Sequence, residues 1–167
     1  EHGRKNLPWQ SSPPDIYHIW LSEIMLQQTQ VATVVDYFNN FIINFPTLVE
    51  LANADEEAVL TSWAGLGYYS RARNLHKSAK IILSEYQGIF PSSYLELTAL
   101  PGIGESTAGA ILSLAYNQSR PILDGNVKRV LSRHHRVVGH YSDSKVLKEL
   151  WRLAKYHTPS KQNANYT

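Results

Sequence analysis

The chain has 167 residues, 43% of them hydrophobic, which is enough to bury the core of one compact domain or of two small lobes. A net charge of +2 excludes a polycationic tail, and the lack of cysteine excludes disulfides and thiolate metal sites within these residues. No apolar run approaches the roughly 20 residues that cross a bilayer, and no secretory leader is recognisable, so we expect no membrane partner. By default we therefore expect a cytoplasmic protein, or a nuclear protein in a eukaryote.

Apolar residues recur with the period of an α-helix along almost the whole chain, and no run alternates as a β-strand does. The sequence therefore predicts an all-α fold. Asp15 is a favourable N-cap for the first helix, Pro46 ends the second, and Gly65 closes a short third one. The predicted helices span 15–28, 29–45, 55–63, 69–86, 92–100, 105–116, 125–138 and 144–157.

Glu23 lies on the apolar stripe of the first predicted helix, four residues after Ile19 and three after Trp20. Burial raises the pKa of a carboxyl group, which suits a general acid near neutral pH. A buried structural glutamate paired with an arginine is the alternative. Gln27 shares the same helix face, and the amides of LQQTQ could replace the hydrogen bonds of an extruded base, although ordinary surface glutamines fit equally well.

Lysine and arginine are unevenly distributed, since none occurs between Trp9 and Trp63. Arg71 and Arg73 follow Tyr68 at a predicted helix start, where aromatics beside cations can stack bases and hold phosphates. A hydrophobic anchor with a solvated rim is the alternative. A surface rich in cations suits a polyanion, and a solvated helix face fits as well. The later cations are Arg71, Arg73, Lys77, Lys80, Arg120, Lys128, Arg129, Arg133 and Arg136.

The stretch LPGIGESTAGAIL, residues 100–112, predicts a tight turn at the start of a helix. Gly102 and Gly104 permit positive φ, and the unpaired N–H groups of a helix N-terminus can hold a phosphate. An ordinary turn between two helices is the alternative. The short helix before the turn and the small residues after it favour a helix-hairpin-helix near 92–116, a module that grips the DNA backbone without reading its sequence.

Asp124 precedes a predicted helix in PILDGNVKRV, where an ordinary N-cap is one interpretation. Lys128 and Arg129 stand in the first turn, where the helix dipole disfavours cations, so we expect Asp124 or a phosphate to compensate. The helix has an apolar stripe and a basic stripe, which fits packing on one side and DNA on the other. The apolar stripe contains Val127, Val130, Leu131 and Val137, and the basic one Lys128, Arg129, Ser132 and Arg136.

The histidines form no i, i+4 pair and have no carboxylate cluster near them in the sequence, so we predict no metal site in this chain. They are His2, His18, His76, His134, His135, His140 and His157.

Four stretches together closely resemble the adenine DNA glycosylases of the MutY type, within the helix-hairpin-helix glycosylase superfamily that includes endonuclease III. They are WLSEIMLQQTQVATV, LTSWAGLGYYSRARNLHKSA, LPGIGESTAGAILSLAY and PILDGNVKRVLSR. The resemblance runs from about Leu7 to Pro159 without a large insertion. It implies a helix-hairpin-helix glycosylase, acting as a monomer, that removes adenine mispaired with 8-oxoguanine or guanine in double-stranded DNA and so starts base-excision repair.

The resemblance also implies a role for individual residues. Glu23 matches the catalytic glutamate, thought to protonate adenine and assist water, and Asp124 matches the catalytic aspartate that stabilises the oxocarbenium-like sugar. Asn126 matches a supporting polar group. Gln27 and Gln28 match residues that fill the duplex near the flipped adenine, and Tyr68 matches a residue wedged beside the opposing lesion. Pro101, Gly102, Ile103 and Gly104 match the hairpin that holds DNA phosphate. The basic stripe of the later helix adds Lys128 and Arg129 to the predicted phosphate-binding residues.

Ser106 separates the two closest branches of this superfamily. Glycosylase-lyases such as endonuclease III place a lysine here to form a Schiff base, whereas a serine implies base removal by water without strand cleavage. Glu105 departs from the pattern, because an acidic residue at a phosphate-binding hairpin is electrostatically unfavourable.

The resemblance implies a six-helix lobe over 15–123, after a lead-in over 1–14, and the start of a second helical lobe over 124–167. Relatives have one more helix before this stretch and continue into a four-cysteine loop with a [4Fe-4S] cluster and a Nudix-like domain that recognises 8-oxoguanine. We therefore expect a catalytic-core fragment, with the cluster supplied by cysteines outside it and with an exposed apolar face on its last helix. That face would include Val146, Leu150, Leu153 and Ala154.

Overall fold

The structure is a computed structural model that describes residues 6–161 and residue 164. These residues contain nine α-helices and no β-strand, which confirms the predicted all-α fold. None of the described helices is long and apolar enough to span a membrane. The helices are α1 (Ile16–Met25), α2 (Val31–Asn44), α3 (Leu48–Asn53), α4 (Glu56–Trp63), α5 (Ser70–Glu85), α6 (Tyr94–Ala99), α7 (Glu105–Tyr116), α8 (Gly125–His134) and α9 (Ser144–His157).

The chain divides into two compact units, the first ending at Ile103 and the second beginning at Gly104. We predicted the boundary at 123/124, twenty residues later. The difference arises because α7 and the segment after it pack within the second unit. Ser106 of α7 accepts a hydrogen bond from the Leu123 N–H at 3.0 Å, and Gly109 packs against Pro121.

Helices α1 to α6 belong to the first unit, where α5 packs against α1, α3 and α4. Trp20 and Met25 of α1, Phe41 of α2 and Trp63 of α4 are fully buried. Phe41 and Trp63 meet edge to face, with ring centroids 5.9 Å apart. Burial of these large side chains is the main stabilising contribution in the unit.

One helix end and one additional helix in the first unit differ from the sequence prediction. The Asp15 carboxylate caps α1 as expected, but the helix ends at Met25 instead of about Gln28, because Gln28 takes a positive φ of 59° that a helix cannot contain. Helix α3 was not predicted. Thr47 and Glu50 form a capping box at its start, and the T-x-x-E pattern in the sequence is a signal that could have found it.

The second unit contains α7, α8 and α9, and α8 packs against α9. The expectation of an exposed apolar face on α9 is wrong, because Leu150 and Leu153 are buried in the core of this unit. Helix α8 ends at His134 instead of Val138, since Arg136 has a φ of +52°. Val130, predicted on the apolar stripe of α8, is 59% exposed. The core consists of Leu123, Leu131, Leu150, Leu153 and Ala154, with Val127, Val137, Val146, Leu147 and Trp151 packed against it.

Candidate functional site

The turn after α6 is held in the first unit by α5. Gly102 has a φ of +78°, and a Cβ atom there would lie 2.9 Å from the Cβ of Asn74, so both the backbone and the space require glycine. The Ser78 hydroxyl donates to the Pro101 carbonyl at 2.8 Å. The Ile103 side chain is buried, and its N–H donates to the Leu100 carbonyl. The sharp turn predicted from P-G-x-G is therefore confirmed.

Gly104 does not use the positive φ that glycine permits, because its φ of −84° and ψ of 175° are extended backbone that any residue adopts. It is the N-cap of α7, and no atom lies within 4 Å of where its Cβ would be. Glu105 is exposed in the first turn of α7. Because the N-cap is a glycine, no side chain of that residue covers the N-terminal N–H groups of α7. Phosphate binding by these groups stays a prediction.

Arg71 joins two turns of the first unit. Its guanidinium group donates to the carbonyls of Ile24, Met25 and Gln27 at 3.2, 2.7 and 2.6 Å, and to those of Leu66 and Gly67 at 3.3 and 3.2 Å. The side chain is only 7% exposed, and burial lowers its pKa. The carbonyls at the C-terminal end of α1 carry partial negative charge that offsets the buried cation.

Sequence reasoning placed Arg71 among surface cations, and the structure corrects this. One signal was available, because Arg71 falls four residues before Leu75 and eight before Ala79, on the apolar face of α5. An arginine on the apolar face of a helix indicates that buried hydrogen-bond acceptors surround its guanidinium group. Arg73, in contrast, is exposed and lies 3.5 Å from Glu56.

The two turns that Arg71 holds carry the residues predicted to enter the duplex. Gln28 and Tyr68 both have positive φ, 59° and 50°, a conformation that costs a non-glycine residue free energy and is common at functional sites. Gln28 is exposed and Tyr68 is 60% exposed. The Gln27 amide donates to the Gly102 carbonyl at 3.3 Å, which links this turn to the one after α6. Within the first unit, Arg71 thus holds the turns that carry Gln28 and Tyr68, and Gln27 links the first of these turns to Gly102.

Glu23 lies in the last turns of α1 and is half-buried, while Ile19 and Trp20 on the same face are buried. This matches the predicted placement of the carboxyl group along the apolar stripe. Its catalytic role stays a prediction.

The second unit positions Asp124 at the start of α8. The Asp124 carboxylate accepts a hydrogen bond from the Val127 N–H at 2.7 Å and caps the helix, and the residue is exposed. The Leu123 N–H, one residue earlier, donates to the Ser106 hydroxyl. The N-cap interpretation is therefore confirmed, and it does not exclude a further role for an exposed carboxylate at a helix N-terminus.

The cations of the first turn of α8 have partners in the second unit. Arg129 donates to the Asn126 side-chain oxygen at 3.2 Å, and the Lys128 ammonium lies 5.4 Å from the centre of the Tyr141 ring. The second unit therefore groups Ser106, Asp124, Asn126 and Arg129 at one end of α8. Their binding to phosphate stays a prediction.

Three of the histidines also meet in the second unit, which spacing along a single helix could not reveal. One ring nitrogen from each of His134, His135 and His157 lies within 4.8 Å of the other two. The Nε2 atoms of His135 and His157 are 2.7 Å apart. The absence of a metal site stays a prediction. It was based on the spacing of histidines along single helices, whereas these three histidines come from the ends of two helices.

A sequence model of the family described as HhH-GPD superfamily base excision DNA repair protein matches residues 21–156. The chain belongs to this superfamily. The matched range of the HhH-GPD family includes Glu23, Ser106 and Asp124, and it extends into both units.

Curated proteins similar to this HhH-GPD chain are named adenine DNA glycosylase. One from Buchnera aphidicola subsp. Acyrthosiphon pisum (strain APS) is 51% identical over 159 residues, which cover 95% of this chain and 45% of the relative. One from Homo sapiens is 43% identical over 160 residues, which cover 91% of this chain and 29% of the relative. The chain therefore spans less than half the length of these relatives.

Solved structures confirm the predicted helix-hairpin-helix glycosylase fold of the HhH-GPD chain. One described as a thermostable thymine-DNA glycosylase has a TM-score of 0.82 at 24% identity and covers 98% of this chain and 76% of that one. A non-covalent endonuclease III–DNA complex has a TM-score of 0.78 at 23% identity and covers 90% and 69%. At these identities the similarity concerns the fold alone.

The iron-sulfur cluster implied by the sequence resemblance requires cysteine thiolates, and this HhH-GPD chain has no cysteine. The residues present do not fit such a cluster.

Proposed function

We propose that this chain is the catalytic part of an adenine DNA glycosylase that acts as a monomer on double-stranded DNA. It flips out an adenine mispaired with 8-oxoguanine or guanine and removes it by hydrolysis, which starts base-excision repair. Membership of the HhH-GPD superfamily and 51% identity to a protein named adenine DNA glycosylase support this proposal.

Glycoside cleavage needs one protonated and one ionised carboxyl group in unlike environments. Glu23, half-buried on the apolar face of α1, protonates a ring nitrogen of adenine as the bond from the sugar to the base breaks and its electron pair leaves with the base. Water then adds to the sugar carbon and returns its proton to the Glu23 carboxylate. The carboxylate of Asp124, exposed at the N-terminus of α8, stabilises the oxocarbenium-like sugar.

Access to adenine requires the base to leave the duplex, and the space it leaves must be filled. Gln28 and Tyr68 suit that task, because both are exposed on turns whose carbonyls Arg71 fixes. A side chain on a turn held this way loses little conformational freedom when DNA binds.

The observation that carries the proposal is the arrangement of the segment before α8. Ser106 accepts the Leu123 N–H and so fixes the backbone that presents Asp124. A hydroxyl group at this place offers no amine for a Schiff base with the sugar, so the reaction ends at base removal.

Adenine release from a duplex with adenine opposite 8-oxoguanine tests the proposal, with the chain in excess over DNA. We expect Glu23→Gln and Asp124→Asn each to lower the single-turnover rate by at least about 100-fold, as loss of a catalytic carboxyl group does. Asp143→Asn is the matched control, since Asp143 caps α9 through the Lys145 N–H as Asp124 caps α8. Undiminished rates in both catalytic variants would refute the assignments.

Borohydride treatment during the reaction tests the hydrolytic step. We expect no covalent adduct with DNA, and an adduct would instead favour a glycosylase-lyase acting on oxidised pyrimidines. Equal affinity for matched and mismatched duplex, with no base release, would favour a non-catalytic DNA-binding module.

A further inference from the structure

Helices α8 and α9 end at the same cluster of imidazoles. His134 is the last residue of α8, His135 is its C-cap, and His157 is the last residue of α9. The ring centroids lie 4.7 Å apart for His134 and His135, 6.0 Å for His134 and His157, and 5.0 Å for His135 and His157. These three rings, all in the second unit, are called the histidine cluster below.

One ring nitrogen from each residue of the histidine cluster lies within 4.8 Å of the other two. The Nε2 atoms of His135 and His157 are 2.7 Å apart, a distance at which one ring donates its N–H to the lone pair of the other. When that proton is released to solvent, both nitrogens have a lone pair to offer. Three imidazole nitrogens gathered at the ends of two helices can then serve as the donor set of a metal site.

We propose that His134, His135 and His157 bind a borderline divalent transition metal ion such as Zn²⁺. Imidazole nitrogen suits zinc, copper and nickel, whereas magnesium and calcium prefer oxygen ligands. Tetrahedral zinc with Zn–N bonds of about 2.0–2.1 Å places its ligand nitrogens about 3.3 Å apart. The 2.7 Å pair therefore opens slightly and the third nitrogen closes in, which side-chain rotation of exposed or half-exposed rings allows. Water completes the fourth position.

The surroundings of the histidine cluster are compatible with a cation. Both helices present their C-terminal ends there, and the partial negative charge of these ends attracts cations. Arg152 and Glu149 act electrostatically on His135 with opposite signs. They also form a two-pronged ion pair with each other at 2.7 and 2.8 Å, so that their charges largely offset.

The metal ion would fasten the end of α8 to the end of α9. Because the unfolded chain does not hold the three imidazoles together, binding energy becomes folding energy of the second unit. None of the three residues takes part in the proposed base removal, so the metal site is independent of that function. A metal ion bound here would overturn the expectation that no histidine in this chain binds metal.

Calorimetric titration of the chain with Zn²⁺ tests the site directly, because no cysteine competes for the ion. We expect one ion per chain, a higher thermal unfolding midpoint with Zn²⁺ that EDTA reverses, and no effect of Mg²⁺. His135→Gln and His157→Gln should each weaken Zn²⁺ binding by at least about tenfold, the lower end for loss of a group that supports a metal site.

His140→Gln is the matched control, since His140 is an exposed histidine of the same unit that bonds to Ser142 outside the histidine cluster. Its affinity should equal that of the unchanged chain. Unfolding in EDTA shows that each variant still folds. The proposal is overturned by the absence of one-to-one binding, or by equal affinities in the His135→Gln, His157→Gln and His140→Gln variants.

Discussion

Arg71 shows what one buried cation does for two turns that sequence reasoning treated separately. The planar guanidinium group of Arg71 donates to backbone carbonyls at the end of α1 and to others in the turn before α5. It also donates to the Thr29 hydroxyl at 3.1 Å. A lysine ammonium is a compact point charge with three donors and cannot span both sets. The positive φ of Gln28 and of Tyr68 persists because these contacts hold the neighbouring carbonyls in place.

Arg71→Lys should lower the free energy of unfolding by at least about 2 kcal/mol, the loss of one or two hydrogen bonds to a charged group. Urea unfolding measures this loss, and amide exchange should become faster around Gln28 and Tyr68. Arg73→Lys is the control, because its exposed pair with Glu56 is worth under about 1 kcal/mol. Equal losses in the two variants would contradict the role assigned to Arg71.

Individual residues were predictable where their signal is local. Asp124 was predicted as a cap and carboxylate candidate because capping depends on the next three residues, and the bond to the Val127 N–H confirms the cap. The role of Arg71 and the meeting of His135 with His157 depend on pairs 44 and 22 residues apart. No pattern along one helix carries such information.

At the scale of elements, helix boundaries were predicted where a cap or a left-handed residue ends the helix. Helix α7 spans the predicted residues because Gly104 precedes it and Asn117 follows in the left-handed conformation. Helix α9 also matches, with Asp143 capping its start. Helices α1 and α8 end earlier than predicted because Gln28 and Arg136 adopt positive φ. Neither glutamine nor arginine favours that conformation, so residue type alone does not predict where these helices end.

Gly109 of α7 lets another part of the chain approach the backbone of the helix closely. A Cβ atom on Gly109 would lie 2.7 Å from the Pro121 carbonyl oxygen, so the segment that leads to Asp124 packs directly on the backbone of α7. Glycine therefore stands inside this helix despite its poor helix propensity, because the close approach outweighs the cost.

Gly109→Ala and Gly125→Ala should change stability in opposite directions. Helix propensity alone favours alanine by about 1 kcal/mol at an unhindered site. Gly125 has no atom within 4 Å of its would-be Cβ, so alanine should stabilise there, whereas at Gly109 the collision with backbone should destabilise. Thermal unfolding of both variants measures the difference, and a stabilised Gly109→Ala would show that the segment does not pack as described.

At the scale of the whole molecule, a buried histidine makes stability depend on pH. His76 of α5 is 2% exposed, and its Nε2 atom has no hydrogen-bond partner. Burial and then the nearby Lys80 lower its pKa, against opposing effects of the Ala54 backbone, Glu56 and Asp55. Because the folded pKa lies below the unfolded one, the unfolded chain takes up the proton more readily.

Stability should therefore be fully present above the ordinary histidine pKa of about 6.5 and should decrease as the pH falls below it toward the folded pKa. Urea unfolding between pH 7.5 and pH 5.5, with EDTA present, measures the slope. His76→Gln removes this titrating group and should give a flatter dependence, whatever its own stability at the higher pH. An unchanged slope would mean that another group controls the dependence on acid.

The hydrogen bonds of Arg71 also set an order of events while the chain folds. The turn at Gln27 reaches its native shape only after a residue 44 positions later has arrived, and contacts of such separation form late because the intervening chain must first close a loop. When only the first four helices have left the ribosome, the turns next to Gln28 and Tyr68 therefore do not yet have their native contacts with Arg71. The two turns that carry Gln28 and Tyr68 are therefore completed together, when α5 docks.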